Sequence, residues 1–187
     1  MKKYYSDKLM VKFSQDELIE RLLRLDEEAD LSLESEDRCY LVLVGGGALV
    51  LQKYLSRATH DLDAISVSSE LLSLLEKYDI NCRVQAYINN FPYNYEDRLI
   101  PLIYGRKIYF YTASPEDIVI AKLCSVRPVD QFDVETKEVL RNLDWNLLEK
   151  LAFDEDELKA SILNDQNYSE FVERYNRYVV RFKPCGN

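Results

Sequence analysis

Residues 44–67 read VGGGALVLQKYLSRATHDLDAISV. Gly45, Gly46 and Gly47 end an apolar run, CYLVLV at residues 39–44, that is short for a helix and rich in β-formers; it predicts a buried strand. Glycine tolerates positive φ and close backbone approach, so the chain can turn sharply there. Leu51 and Leu55 then recur at helical spacing beside polar Gln52 and Lys53, which predicts a short helix over 48–55. Residues 61–67 alternate and predict a second strand.

Two chemical features sit in this stretch. On a strand, residues i and i+2 share a face at a separation of about 6.7 Å. Asp61 and Asp63 so placed offer hard oxygen donors suited to Mg²⁺, while Leu62 turns to the core. Two like charges on one face are costly without a cation. A DxD in a solvated loop would instead be inert. A glycine turn entering a helix presents backbone N–H groups and partial positive charge, a seat for phosphate, or it is a tight turn and nothing more. The dinucleotide pattern GxGxxG fails, because Val50 stands at its last glycine, and no GK[ST] follows for a Walker loop. His60 alternates away from Asp61 and reads as a packing residue.

Moving outward, SQDE at residues 14–17 matches a capping box, and Leu18, Ile19, Leu22, Leu23 and Leu25 predict a helix to about residue 28. Residues 27–37 are acidic and read as a loop. After the opening stretch, Leu71, Leu72, Leu74 and Leu75 predict a helix over 69–78, capped by Ser68 or Ser69. CRVQAYI at 82–88 alternates and predicts a strand; 89–97 reads as a loop. Residues 99–104 and 107–112 flank Gly105 and Arg106 as a hairpin, with Pro101 placing its first strand at an edge. SPED at 114–117 is a helix start, with Ser at the cap and Pro at the first helical position. Pro128 ends or kinks that helix. Helices are expected over 132–143, 145–153, 155–163 and 168–182. The pattern predicts an α/β (α+β) protein: a small mixed sheet with flanking helices over 1–113, and a helical lobe over 114–187.

The chain has 187 residues and is 47% hydrophobic, 30% charged and 12% aromatic, ordinary for a folded chain of one domain or one core plus a lobe. Its 24 basic and 33 acidic residues give a net charge of −9, which excludes a global basic footprint for nucleic acid. Polyanion binding would need a metal or a local patch. Fourteen tyrosines fill amphipathic positions or bind a partner. Cys39, Cys82, Cys124 and Cys185 form no CxxC pair and His60 stands alone, which gives a zinc site no support. Widely spaced thiols, a start (MKKYYSDKLM) without an apolar stretch, and no run near 20 apolar residues predict a reducing, cytoplasmic location and no membrane span.

The order strand, GG, AL, helix, Arg57, Thr59, Asp61-x-Asp63, strand resembles the nucleotidyltransferase superfamily of DNA polymerase β-like folds. More narrowly it is similar to bacterial nucleotidyltransferase-like proteins that include toxins of abortive-infection toxin–antitoxin systems. Those toxins carry Lys-x4-Arg and then Asp, which Lys122, Arg127, Asp130 and Asp133 match; FPYNYEDRLIPL at 91–102 also looks like related members. The resemblance covers roughly residues 40–135. It implies Mg²⁺-dependent transfer of an NMP from an NTP. Gly45, Gly46 and Gly47 would hold the triphosphate, and Asp61 and Asp63 the metal. Lys122, Arg127 and Arg57 would neutralise phosphate charge, and Asp130 or Asp133 would orient those cations or the acceptor. The acceptor would be an RNA 3′ end, tRNA included, or a protein side chain, and an antitoxin would be a partner.

Three features depart from the family pattern. Gly47 stands where Ser or Thr is usual. No later strand carries the third carboxylate that active members often have; Asp97, with Glu96 beside it before a strand, is the nearest candidate metal ligand. The chain is also acidic for a protein acting on tRNA. These departures fit a rival class, a catalytically inert nucleotidyltransferase-like domain that senses a nucleotide or binds a partner. A third reading is an interaction domain that uses the Tyr-rich helical tail.

Overall fold

The structure is a computed structural model that describes residues 13–34, 36–59 and 61–184, with Ser66 and residues 84–86 described by backbone alone. His60 and Cys185 lie outside the described residues. The CYLVLV run forms β1 (Cys39–Val44), buried except at Tyr40. A strand covered on both faces belongs at a sheet centre, and β1 is the middle of five. The others are β2 (Leu62–Val67), β3 (Ile80–Asn81), β4 (Ile100–Tyr104) and β5 (Ile108–Thr112), in the order β3-β2-β1-β5-β4. β1 runs antiparallel to β2 and parallel to β5; β2 and β3 are parallel, and β4 and β5 antiparallel. The sheet is therefore mixed, as expected, and β4, with Pro101, is an edge strand.

In β5, Ile108, Phe110 and Thr112 are fully buried while Tyr109 and Tyr111 are half-buried, the alternation of a strand with unlike faces. α1 (Gln15–Ser32), which packs on the helices that follow β1 and β2, is opened by the expected capping box: Glu17 N–H donates to Ser14 Oγ, and Ser14 N–H donates to Glu17 Oε2. Leu18, Leu22, Leu25 and Ala29 form its buried stripe. Ala29 extends that stripe one turn past Leu25, so residues 27–32 are helical rather than the acidic loop expected; Glu27 and Asp30 face solvent.

Other boundaries also differ. α2 (Gly45–Leu51) takes the three glycines into its first turn and stops at Leu51 rather than Leu55. Residues 69–78 are helical but irregular, with α3 (Leu72–Leu75) between two 3₁₀ turns, and Leu72 is exposed. Ser68 makes no side-chain cap there; its hydroxyl accepts from Tyr40 N–H instead. The strand expected over 82–88 is a 3₁₀ segment, Arg83–Asn90. The cause is local: the Asn81 side chain accepts from Arg83 N–H at 3.0 Å, a turn that takes the chain out of the sheet after two residues of β3.

Ser114 caps α4 (Pro115–Cys124) as expected. Pro128 does not end α4, which stops at Cys124; it opens α5 (Pro128–Val134), with Arg127 extended before it as a pre-proline residue must be. The helix expected over 132–143 is divided at Glu135 and Thr136 into α5 and α6 (Lys137–Asn142). α7 (Trp145–Phe153) stands where expected, α8 is only Leu158–Ser161, and α9 begins early (Asp165–Phe182), capped by Asn164. α4 packs on α7 and α9 and also touches α2. Among the described residues no helix is long and apolar enough to cross a membrane.

One carboxylate ties α1 to the hairpin. Asp26, on the buried stripe, accepts from the backbone N–H groups of Arg106 (2.7 Å), Lys107 (2.9 Å) and Ile108 (2.7 Å). A side chain at Gly105 would collide with this carboxylate. Asp26→Ala leaves these amides without their acceptor. It is expected to lower the unfolding free energy by about 2–4 kcal/mol, measured by urea denaturation, and a loss below about 1 kcal/mol would refute the clamp.

Candidate active site

The end of β1 brings the opening stretch together. Val44 pairs with Asp63 across β1 and β2, so Asp63 lies beside the glycine turn. Gly45 adopts φ 68, in the left-handed region that favours glycine, and a Cβ there would lie 3.0 Å from Asp63 Oδ2. A Cβ on Gly46 would fall 2.7 Å from Arg57 Nη2 and 3.1 Å from Asp133 Oδ2. A Cβ on Gly47 would meet the Leu62 side chain at 2.7 Å and the Asp61 carbonyl at 3.0 Å. The expected hydroxyl position at Gly47 is thus filled by the packing of β2. The first-turn amides of α2 have no intrahelical acceptor.

Asp61 is exposed just before β2, and Asp63 is half-buried within it. Burial pushes the Asp63 carboxyl above its ordinary pKa, and the charge of Asp61 adds to this. Opposing the rise, Asn81 Nδ2 donates to Asp63 Oδ1 at 2.9 Å, and the charges of Arg127 and Lys122 act in the same sense more weakly. Two carboxylates that repel one another, with oxygen donors only, fit Mg²⁺, which is held by one or two carboxylates and otherwise by water and substrate phosphate. Asp97 does not join them. It is exposed in the turn Tyr95–Arg98 before β4, at the opposite edge of the sheet from β2. Among the described residues no three carboxylate, thiol or imidazole groups lie close enough to hold a metal ion.

Facing the carboxylates is a chain of alternating charge. Lys122 is 7% exposed; its Nζ donates to Asp130 Oδ1 at 2.6 Å and to Asp133 Oδ2 at 3.0 Å. Asp133 also accepts from Arg57 through two parallel bonds, Nε at 2.8 Å and Nη2 at 2.7 Å. Asp130 accepts from Arg127 Nε at 2.7 Å. The order is Arg57, Asp133, Lys122, Asp130, Arg127, three cations against two carboxylates. Burial works to raise the Asp130 carboxyl, but Lys122, then Ser125 and Arg127, hold it below the usual carboxylate range. The Arg127 guanidinium is raised first by its Asp130 hydrogen bond, opposed by burial, and further by the charges of Asp130, Asp63 and Tyr87.

Only the two ends of this chain reach solvent: the Arg127 side chain is 71% exposed and that of Arg57 32%. Arg57 also lines a cavity of about 300 Å³ with Ser14, Lys53 and Ser56. The structure therefore gathers Gly45, Gly46, Gly47, Arg57, Asp61, Asp63, Lys122, Arg127, Asp130 and Asp133 at one end of β1, and leaves Asp97 out. Lys122 does not offer a free ammonium, since two carboxylates occupy it. Sequence reasoning missed Asn81, which sits in a strand too short to leave a pattern.

Removing the Lys122 ammonium would leave two buried carboxylates without their shared cation. Lys122→Ala is expected to cost about 3–5 kcal/mol of stability. Asp63→Asn relieves a repulsion and is expected to stabilise the fold by roughly 0.5–2 kcal/mol. The two aspartates also shape the acid limb with opposite signs. The Asp130 contribution is complete above an ordinary carboxylate pKa of about 3.9 and is lost as pH falls through its lower folded value. Ionised Asp63 costs stability above its raised folded value, and acidification through that value returns it. Urea denaturation of both variants across pH 3–7 checks these signs; destabilisation by Asp63→Asn would refute the repulsion.

Comparison with curated proteins and with solved structures finds no match to the chain. Residues 20–183 match the family described as "Nucleotidyltransferase of unknown function (DUF6036)". That match spans the sheet, the glycine turn, both aspartates and the charge chain, and the protein belongs to this nucleotidyltransferase family.

Proposed function

We propose that the protein is a Mg²⁺-dependent nucleotidyltransferase that moves an NMP from an NTP to an RNA end or a protein side chain. The observation that carries this is the two-sided mouth at the end of β1: a carboxylate pair on one side, a cation-rich chain on the other, and a floor of glycines between. Mg²⁺ held by Asp61 and Asp63 would supply Lewis-acid polarisation of the phosphoryl oxygens. The α2 amides and the exposed guanidiniums of Arg57 and Arg127 hold the triphosphate. Lys122, Asp130 and Asp133 keep those guanidiniums in place; in this reading Lys122 acts through them. The acceptor oxygen attacks the α-phosphorus, the bond to pyrophosphate breaks, and the acceptor proton passes to water. The protein's share is positioning and charge stabilisation, as phosphoryl transfer requires. A toxin whose partner is an antitoxin is one biological setting for such an activity.

A second reading has one observation in its favour: among the described residues the aspartate pair has no third carboxylate within metal reach. An inert domain that binds a nucleotide without turnover would have this donor set. Incubation with each labelled NTP, Mg²⁺ and total RNA or cell protein separates the two. Transfer of label is expected, and loss of at least a hundredfold in the Asp61→Ala, Asp63→Ala double variant, an effect typical of removing transition-state charge stabilisation. Nucleotide binding with no transfer to any acceptor would establish the second reading; full activity in the double variant would remove the mechanism.

A further inference from the structure

β3 is two residues long. Ile80 pairs with Leu62 and Asn81 with Asp63, in a parallel register. Ile80 and Leu62 are buried on one face of the sheet, which leaves Asn81 and Asp63 side by side on the other. Both ends of the Asn81 amide are engaged. Its Oδ1 accepts from Arg83 N–H at 3.0 Å, and its Nδ2 donates to Asp63 Oδ1 at 2.9 Å. Only the oxygen of a side-chain amide accepts from a backbone N–H, so the Arg83 bond decides which end faces Asp63. The two oxygens of Asp63 are thereby made unlike. Oδ1 is taken by Asn81. Oδ2 faces the glycine turn, 3.0 Å from where a Cβ on Gly45 would stand. Among the described residues Oδ2 accepts no hydrogen bond, and the only buried side-chain polar atom without a partner is Gln52 Oε1. Asp63 Oδ2 is therefore open to solvent.

We infer that Asn81 is a positioning residue that sets cation specificity: by holding Oδ1 it limits Asp63 to one oxygen toward a divalent cation and so favours Mg²⁺ over Ca²⁺. The inference rests on the reading of Asp61 and Asp63 as metal ligands. Ca²⁺ takes about six to eight oxygens in flexible geometry and accepts carboxylates through both oxygens. Mg²⁺ demands near-ideal octahedral geometry and uses one or two carboxylates, with water and phosphate in the other places. A carboxylate held to one free oxygen suits the second ion. The donor is also neutral. A lysine at this position would neutralise Asp63 and compete with the cation, whereas an amide orients the carboxylate and leaves its charge. The Arg83 bond serves the same end, because an unanchored side chain at position 81 would let Asp63 rotate and offer both oxygens.

Mn²⁺, which like Mg²⁺ suits an octahedral set of oxygens, is the probe. Its binding is read by electron paramagnetic resonance, and its displacement by Mg²⁺ and by Ca²⁺ gives the order of preference. The wild-type protein is expected to bind Mn²⁺ and to release it at a lower concentration of Mg²⁺ than of Ca²⁺. Asn81→Ala frees Oδ1 and is expected to weaken Mn²⁺ binding by about tenfold or more, the usual effect of losing such a partner, and to make Ca²⁺ the better competitor. Asn81→Asp keeps an acceptor for Arg83 N–H, so the turn survives, but sets an oxygen against Asp63 in place of the donor; it is expected to move the preference to Ca²⁺ as well. Far-UV circular dichroism of each variant confirms folding. A merely structural role would weaken both competitors equally and leave their order unchanged; that result in both variants, or a wild-type preference for Ca²⁺, overturns the inference and leaves the metal site standing. Absence of Mn²⁺ binding in the wild type, or its persistence in the Asp61→Ala, Asp63→Ala double variant, removes the metal site and the inference together.

Discussion

A buried lysine held by two carboxylates is the constraint from which most of the site follows. An ammonium cannot be taken from water without compensation, and a single partner rarely suffices. Lys122 has Asp130 and Asp133, three positions apart, which places both on one side of α5. That arrangement requires a short helix aimed at α4, and Pro128 provides its start by forcing Arg127 to be extended. It also requires that Asp133 be balanced a second time, which Arg57 does with a bidentate grip from the loop before β2. Gly46 must then lack a side chain, because a Cβ there would occupy the space of that grip. One desolvated charge thus couples α4, α5, the glycine turn and the approach to β2.

The opposite wall has the reverse character. Among the described residues Asp61 and Asp63 share no cation by hydrogen bond, and Asn81 is the neutral donor that steadies Asp63. Carboxylates crowded together without a bonded counter-ion cost stability, while the two around Lys122 are each hydrogen-bonded to two of three cations. The molecule therefore stores its electrostatic imbalance at the carboxylate wall and its electrostatic order at the cation wall. A ligand carrying both a divalent cation and phosphate would relieve the first and engage the second.

The parts of this arrangement visible in the sequence are those set by neighbours along the chain. β1, the glycines, Asp63 on a strand, the Ser114 cap and the hairpin at Gly105 each follow from residues within a few positions. The parts that were not visible depend on distant partners or on side chains that override periodicity. Arg57 and Asp133 meet across 76 positions, and nothing local in either segment encodes the pairing. CRVQAYI alternates like a strand, yet Asn81 turns the chain into a 3₁₀ segment before it can pair. Residues 132–143 have helical composition throughout, but Asp133 is committed to Lys122 and the chain breaks at Glu135 and Thr136. Asp97 looked like a metal ligand because it precedes a strand, and the sheet order places that strand at the far edge.

The charge of the whole chain bears on how the site meets its ligands. At −9 the molecule repels polyanions at long range, and that repulsion is screened beyond about 10 Å at moderate salt. Against that background, Arg57, Lys122 and Arg127 form a local group of cations at the end of β1. Of these three, Arg57 and Arg127 are open to solvent and Lys122 is not, so in the proposed reading two guanidiniums face the phosphates. Two contacts suit the phosphates of one nucleotide and would release few counter-ions from an extended strand. Under the proposed reading, an acceptor is consequently held by something other than its phosphates.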